Sequence, residues 1–366
     1  MTKENKKKFL IVFGTRPEAI KLIPLIKRLE YCNFADLCIC ISAQHRDMLD
    51  PVLNEYSIFP DYDLDIMREN QSLDYLTSSI ITETGKILDA EKPHAIIVHG
   101  DTTTAMASAL AAFHRKIRII HIEAGLRSND IFSPFPEEFN RRTISTIATY
   151  HFAPTPNAEQ NLISEGIQKD KIFTVGNTGI DALACGEYEG KISEALRNKR
   201  YIVITVHRRE HSDSELEKIF GSIKSLLIER QDIWAVYPLH KSPRVRNIAL
   251  RILTGLPNLI LTDPLCVPEF HTLLKNCYMI MTDSGGIQEE AVFLGKPTLV
   301  LRDTTERPEG VELGVLKLTC CDEDSIYKSA IALTDDARLY ERAAVKSNIY
   351  GDGRTCERIC EVLSNI

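Results

Sequence analysis

Short apolar runs rich in β-branched residues alternate along the chain with amphipathic stretches of helical length. A first series of runs covers 9–13, 37–42, 95–99, 118–122, 151–154 and 172–175. A second covers 201–206, 233–239, 259–261, 278–281 and 298–301. Near-continuous apolar strands separated by helices predict parallel sheets covered on both faces. A charged segment poor in aromatics, 187–199, divides the two series. The pattern therefore predicts an α/β protein with two doubly wound, Rossmann-like domains facing each other across a cleft. Their expected limits are 1–177 and 178–350, with the joint near 176–179. The segment 351–366 carries an amphipathic helix, expected to pack back on the first domain.

In open parallel sheets, ligands bind beyond the carboxyl ends of the strands. The unusual polar residues of this chain gather at those ends. The run 278–281 leads into Asp283-Ser284-Gly285-Gly286-Ile287-Gln288-Glu289-Glu290. A strand that ends in Ser-Gly-Gly at a helix start presents bare backbone N–H groups, which suit a phosphate or diphosphate. Glu290, about one turn further on, is placed to accept hydrogen bonds from ribose hydroxyls. The run 9–13 leads into Gly14-Thr15-Arg16-Pro17-Glu18, where Thr15 and Glu18 have capping-box spacing and Pro17 suits a first turn. Arg16 and Lys21 then stand at a helix start, and Arg16 makes a natural diphosphate clamp.

Two neighbouring strand ends each carry an acid. Asp101, in His99-Gly100-Asp101-Thr102, serves either as a helix cap or as a functional group. Glu123, in Glu123-Ala124-Gly125-Leu126-Arg127, is harder to explain structurally, because a carboxylate at a buried strand end is costly without a partner. Together they suit general acid–base work. Glu137 and Glu138 add carboxylates before a helix, where complementing the helix dipole is the equal alternative. In the second domain, His207-Arg208-Arg209-Glu210 and His240 follow strand candidates. Arg307, in the charged loop 302–309, reads either as a clamp on a nucleotide or as a surface charge.

Composition narrows the class. The 366 residues with 44% hydrophobic content can bury a large core. A net charge of −7 argues against a general nucleic-acid binder, so an anionic ligand must be held by local arginines. The ten cysteines show no C-x-x-C pairing, and five apolar residues after the basic start are too few for a signal or membrane span. A cytoplasmic protein with no metal, no cofactor and no membrane partner is expected. No H-E-x-x-H unit is present, and Ser284 lacks a nucleophile-elbow pattern.

Taken in order, Gly14–Lys21, His99–Thr102, Glu123–Arg127, Pro136–Glu138, His207–Glu210, Asp283–Glu290 and Arg302–Glu309 resemble the motifs of the non-hydrolysing bacterial UDP-N-acetylglucosamine 2-epimerases, along nearly the whole chain. The resemblance implies the two-domain GT-B fold of that family. It also implies reversible conversion of UDP-N-acetylglucosamine to UDP-N-acetylmannosamine, through elimination of UDP to 2-acetamidoglucal and re-addition, supplying surface polysaccharides. Relatives of this kind suggest a homodimer that binds UDP-N-acetylglucosamine and UDP.

By the same resemblance, Asp101, Glu123, Glu137 and His207 form the catalytic set. Arg16, Lys21, Ser284, Gly285, Gly286, Glu290 and Arg307 hold the nucleotide. A second, activating UDP-N-acetylglucosamine site is implied at Gln44, His45, Arg208 and His240. Asp47 and Asn70 depart from the pattern there, as does His211 from the usual Arg-Arg-Glu-Asn. Hydrolysing relatives, which release N-acetylmannosamine, lack much of this second site, so the retained residues favour the non-hydrolysing reaction with weaker activation. A GT-B glycosyltransferase shares the fold and clamp but needs no acids around donor carbon 2. A sugar-nucleotide sensor would be expected to lose an acid or His207.

Overall fold

The computed structural model describes residues 6–43, 46–68, 71–184, 190–208 and 211–366. The chain divides into two compact units, Met1–Ala184 with Gly351–Ile366, and Cys185–Tyr350. In the first unit the strands are β1 (Lys7–Phe13), β2 (Ala35–Ile41), β3 (Tyr62–Asp63), β4 (Ala95–His99), β5 (Arg118–Ile122), β6 (Tyr150–Ala153) and β7 (Ile172–Thr174). They form one parallel sheet in the order 3-2-1-4-5-6-7. Every residue of β4 is buried, as are Phe9 to Phe13 of β1, which explains why these strands read as unbroken apolar runs. The helix Thr103–His114 shows the close packing small residues allow: Ala105, Ala107, Ala109, Ala111 and Ala112 are all fully buried.

The second unit repeats the plan with β8 (Arg200–Thr205), β9 (Ile233–Pro238), β10 (Leu259–Thr262), β11 (Met279–Thr282), β12 (Thr298–Val300) and β13 (Leu316–Leu318). Its parallel sheet runs 10-9-8-11-12-13. Strand order reverses between β1 and β4 in the first sheet and between β8 and β11 in the second. Those reversals open crevices at the carboxyl ends of the four strands. The polar motifs after residues 13, 99, 206 and 282 emerge there.

Two edge strands, β3 and β13, have no counterpart in the pattern reading. They are two and three residues long, too short to stand out as runs. The first unit also extends through the helix Thr178–Ala184, which the pattern assigns to the second domain. Its Asp181 carboxylate accepts the amides of Thr355 (3.2 Å) and Cys356 (2.8 Å), capping the helix Thr355–Asn365. The Lys7 ammonium donates to the carbonyls of Leu363 (3.3 Å), Ser364 (3.0 Å) and Ile366 (2.6 Å) at that helix's other end. The helix packs on Arg16–Glu30 and Thr178–Ala184. Among the described residues no helix is long and apolar enough to cross a membrane.

Candidate active site

In the first unit the crevice is stapled by Glu18. Its carboxylate accepts the Gly14 amide (3.0 Å), the Thr15 amide and hydroxyl (both 2.8 Å) and, across the strand reversal, the Thr102 hydroxyl (2.7 Å). Thr102 in turn caps the helix Thr103–His114. One buried acid thus ties the ends of β1 and β4 together. Burial pushes the Glu18 carboxyl above its usual range, against the pull of these donors.

Asp101 follows β4. Its carboxylate takes Arg141 through Nε (3.0 Å) and through Nη2, and its carbonyl accepts the Asn140 side-chain amide (2.9 Å). Arg141 also reaches the fully buried Glu138 (3.1 Å), which accepts the Ser128 amide (3.0 Å) and Arg142 (2.8 Å). Of the two adjacent glutamates, Glu138 is the structural anchor, whereas Glu137 stands half-buried at the first position of the helix Glu137–Ile147.

Glu123 follows β5 with a φ of 63°, a left-handed backbone that few non-glycine residues adopt. Its carboxylate pairs with the Lys21 ammonium and accepts the Asn177 side-chain amide (2.6 Å). His99 Nε2 lies 3.9 Å away, is buried, and finds no hydrogen-bond partner among the described residues. Burial pushes the His99 imidazole down to about 4, although Glu123 pulls the other way. Lys21, grouped with the nucleotide residues by resemblance, is therefore placed on an acid. Arg16 opens the helix Arg16–Glu30, half-buried.

In the second unit the helix Gly285–Leu294 starts without a side-chain cap, since Ser284 makes no capping bond. Its first-turn N–H groups are thus presented by backbone alone, unlike those of Arg16–Glu30 and Asp213–Glu229, which carry capping boxes. Arg307 is neither an open clamp nor a surface charge. It is 6% exposed, donates to Glu289 (2.8 Å) and Glu306 (3.1 Å), and its guanidinium lies under the helix start. A Cβ on Gly285 would meet Arg307 Nη1 at 2.6 Å. Because two buried glutamates pin that guanidinium, Gly285→Ala should destabilise the protein by about 1–3 kcal/mol. A thermal melt equal to or above that of the parent would refute the close approach.

His207 follows β8, and its Nδ1 lies 2.7 Å from Asp283 Oδ1. Asp283 is fully buried; its Oδ2 accepts the amides of His207 (2.8 Å) and Arg208 (2.9 Å) and lies 3.2 Å from His211 Nε2. Burial alone would raise this carboxyl, but His207, His211 and the Arg208 amide hold it well below the usual carboxylate range. The rings of His207 and His240 sit 6.0 Å apart, and His240 Nδ1 accepts the Ser242 amide (3.1 Å). Glu290 is mostly buried, 3.9 Å from His271 Nε2.

Asn177, Asp283, His211 and Arg141 were absent from the expected site residues. Asn177 gave a usable signal, because Gly176-Asn177-Thr178-Gly179 follows a strand, yet it read only as a joint between domains. Gln44, His45, Asn70, Arg209, Glu210 and the Asp47 side chain lie outside the described residues.

The family model for UDP-N-acetylglucosamine 2-epimerase matches residues 27–364. The chain is 46% identical to the enzyme of that name from Campylobacter jejuni, over 98% of this chain and 97% of that one. With the Bacillus subtilis enzyme of the same name it shares 45% identity, over 98% and 95%. Among solved structures, S. aureus MnaA with UDP superposes with a TM-score of 0.94 at 46% identity, covering 98% of this chain and 96% of that one. The UDP-N-acetylglucosamine 2-epimerase of Neisseria meningitidis bound to UDP-GlcNAc gives 0.92 at 43%, covering 98% and 100%. Two parallel-sheet units with switch-point acids in one and an uncapped Ser-Gly-Gly helix in the other fit these relatives, and the chain belongs to the UDP-N-acetylglucosamine 2-epimerase family, whose fold is of the GT-B type.

Proposed function

We propose that this chain interconverts UDP-N-acetylglucosamine and UDP-N-acetylmannosamine at sugar carbon 2. The proton on that carbon has no adjacent carbonyl, so its direct removal is prohibitively difficult. Breaking the anomeric bond to UDP develops positive charge next door and makes the proton removable. Elimination then gives 2-acetamidoglucal and UDP, and re-addition with a new proton on either face of carbon 2 yields both epimers. The reading is supported above all by Asp101 and Glu123, which stand at the carboxyl ends of two directly paired strands, β4 and β5. In it, Asp101, Glu123 and Glu137 serve the proton transfers.

His207, held beside Asp283, favours departure of the anionic diphosphate. A proton on Nδ1 faces Asp283, leaving Nε2 for exchange on the half-exposed edge of the ring. The bare helix start at Ser284, Gly285 and Gly286 suits the diphosphate, Glu290 takes the ribose, and Arg16 serves the nucleotide by the family resemblance. Arg307 contributes positive charge from beneath the helix start, and Lys21 steadies Glu123. We also infer a second UDP-N-acetylglucosamine site involving Gln44, His45, Arg208 and His240, with weak activation. A cytoplasmic homodimer completes the proposal, to be read from sedimentation.

Proton NMR of the purified protein with UDP-N-acetylglucosamine in heavy water tests it. The expected result is an equilibrium mixture of both UDP-sugars carrying deuterium at carbon 2. Accumulation of UDP with free N-acetylmannosamine would assign the hydrolysing reaction instead, and an unchanged sugar would sink the proposal.

A further inference from the structure

We propose that His211 is a positioning residue for His207, acting through the carboxylate of Asp283 that the two imidazoles share. His211 directly follows the His207-Arg208-Arg209-Glu210 run after β8. It is 3% exposed and lies 3.2 Å from Asp283 Oδ2, while His207 takes Oδ1 at 2.7 Å. Each oxygen of one fully buried carboxylate therefore serves one imidazole.

The facing carboxylate fixes the tautomer of neutral His211. Nδ1 lies 3.6 Å from Cys321 Sγ, and that sulfur lies 3.2 Å from the Leu301 carbonyl. Burial pushes the Cys321 thiol up to about 12, so at neutral pH it keeps its single proton, which the Leu301 carbonyl, an acceptor only, can take. Facing an acceptor-only carboxylate, neutral His211 places its N–H on Nε2, toward Asp283 Oδ2. The opposite tautomer would set a lone pair against a carboxylate. Cys321, His211, Asp283 and His207 thus form one line of polar atoms from the interior to the half-exposed ring.

The consequence for His207 follows from charge. An N–H donated to Oδ2 withdraws negative charge that would otherwise stabilise the His207 imidazolium, and a protonated His211 withdraws more. Other charged groups face the same line. Arg208 Nε donates to the Asp283 carbonyl (3.1 Å), and the Arg244 guanidinium donates to the His211 carbonyl. Glu215, on the helix Asp213–Glu229, interacts with His211, and Asp303 with Cys321. His240 lies beside His207. Oδ2 also accepts the backbone amides of His207 and Arg208, two donors that a substitution at His211 leaves in place.

The inference rests on the reading of His207 as catalytic, and the experiment keeps the two apart. Imidazole nitrogen resonances of the ligand-free full chain are followed from pH 5 to 8.5 in the parent, His211→Leu and His211→Asn. The leucine variant should raise the His207 midpoint by about half a unit, threefold in proton affinity, because Asp283 loses a donor. Asparagine keeps an N–H donor and should return the midpoint toward that of the parent. Should the leucine variant fold poorly, the asparagine variant still carries a test, since it must remove any second step that a titrating His211 imposes on the His207 curve. An identical His207 titration in all three proteins overturns the proposal. The pH profile of kcat should move with the ring. A ring that shifts while kcat does not would remove His207 from the catalytic set and leave the coupling intact.

Discussion

Glu123→Gln should lower kcat by about 10²–10⁴-fold, the range expected when a general acid–base group is neutralised in place. The substitution keeps the shape of the side chain and its contact with the Asn177 amide. It removes the charge that pairs with Lys21 and the oxygen lone pair that would take a proton. The left-handed backbone at position 123 tolerates Gln no worse than Glu, so the melting temperature should change far less than the rate. Asp101→Asn should act similarly, because that carboxylate stands at the end of the adjacent strand, held there by Arg141. Exchange of the carbon 2 proton with heavy water offers a second readout that should fall with kcat. A Glu123→Gln enzyme that keeps a tenth or more of the parent rate would remove this residue from the chemistry.

Acidification should unfold the first unit well before the carboxylates titrate in bulk. His99, His121 and His151 lie on the adjacent strands β4, β5 and β6 and are at most 2% exposed. Burial pushes their imidazoles down to about 4, about 3 and about 4. Between pH 6.5 and 4 the unfolded chain binds a proton at each of these sites and the folded chain does not. Stability is therefore fully present above about pH 6.5 and falls as pH drops through that window. Three such groups give a slope of about 4 kcal/mol per pH unit, enough to consume a typical domain's stability within two units. Glu18, whose carboxyl is raised, works in the opposite sense and offsets part of the loss. Urea titrations from pH 7 to 4.5 measure the slope, and His151→Leu should flatten it by about 1.4 kcal/mol per unit. A stability independent of pH over that range would contradict neutral, buried imidazoles.

The two-sheet architecture and the places where function gathers were legible because both depend on local pattern. Apolar runs mark buried parallel strands, and an acid or a Ser-Gly-Gly turn directly after such a run marks a carboxyl edge. What remained hidden depends on partners distant in sequence. Lys21 meets Glu123, and Asn177 meets the same acid, only once the sheet is assembled. Arg307 reads equally as a nucleotide clamp or a loop charge until its guanidinium is seen pinned by Glu289 and Glu306. His211 stood out as a departure from pattern, but its meaning required Asp283 and Cys321 on either side. The helix Thr178–Ala184 was assigned to the wrong unit because Asp181 finds its partners at Thr355 and Cys356.

That last pairing carries a consequence for how the molecule is made. The helix Thr355–Asn365 belongs to the first unit, yet the whole of the second is translated before it. At synthesis rates of about 5–20 residues per second the nascent first unit waits on the order of ten to thirty seconds for its closing helix. Throughout that interval the faces of Arg16–Glu30 and Thr178–Ala184 that the helix covers remain open on the ribosome, and Lys7 lacks the carbonyls it will hold. The second unit, continuous in sequence, can fold as it emerges. Maturation therefore runs against the order of synthesis, with the unit begun first completed last.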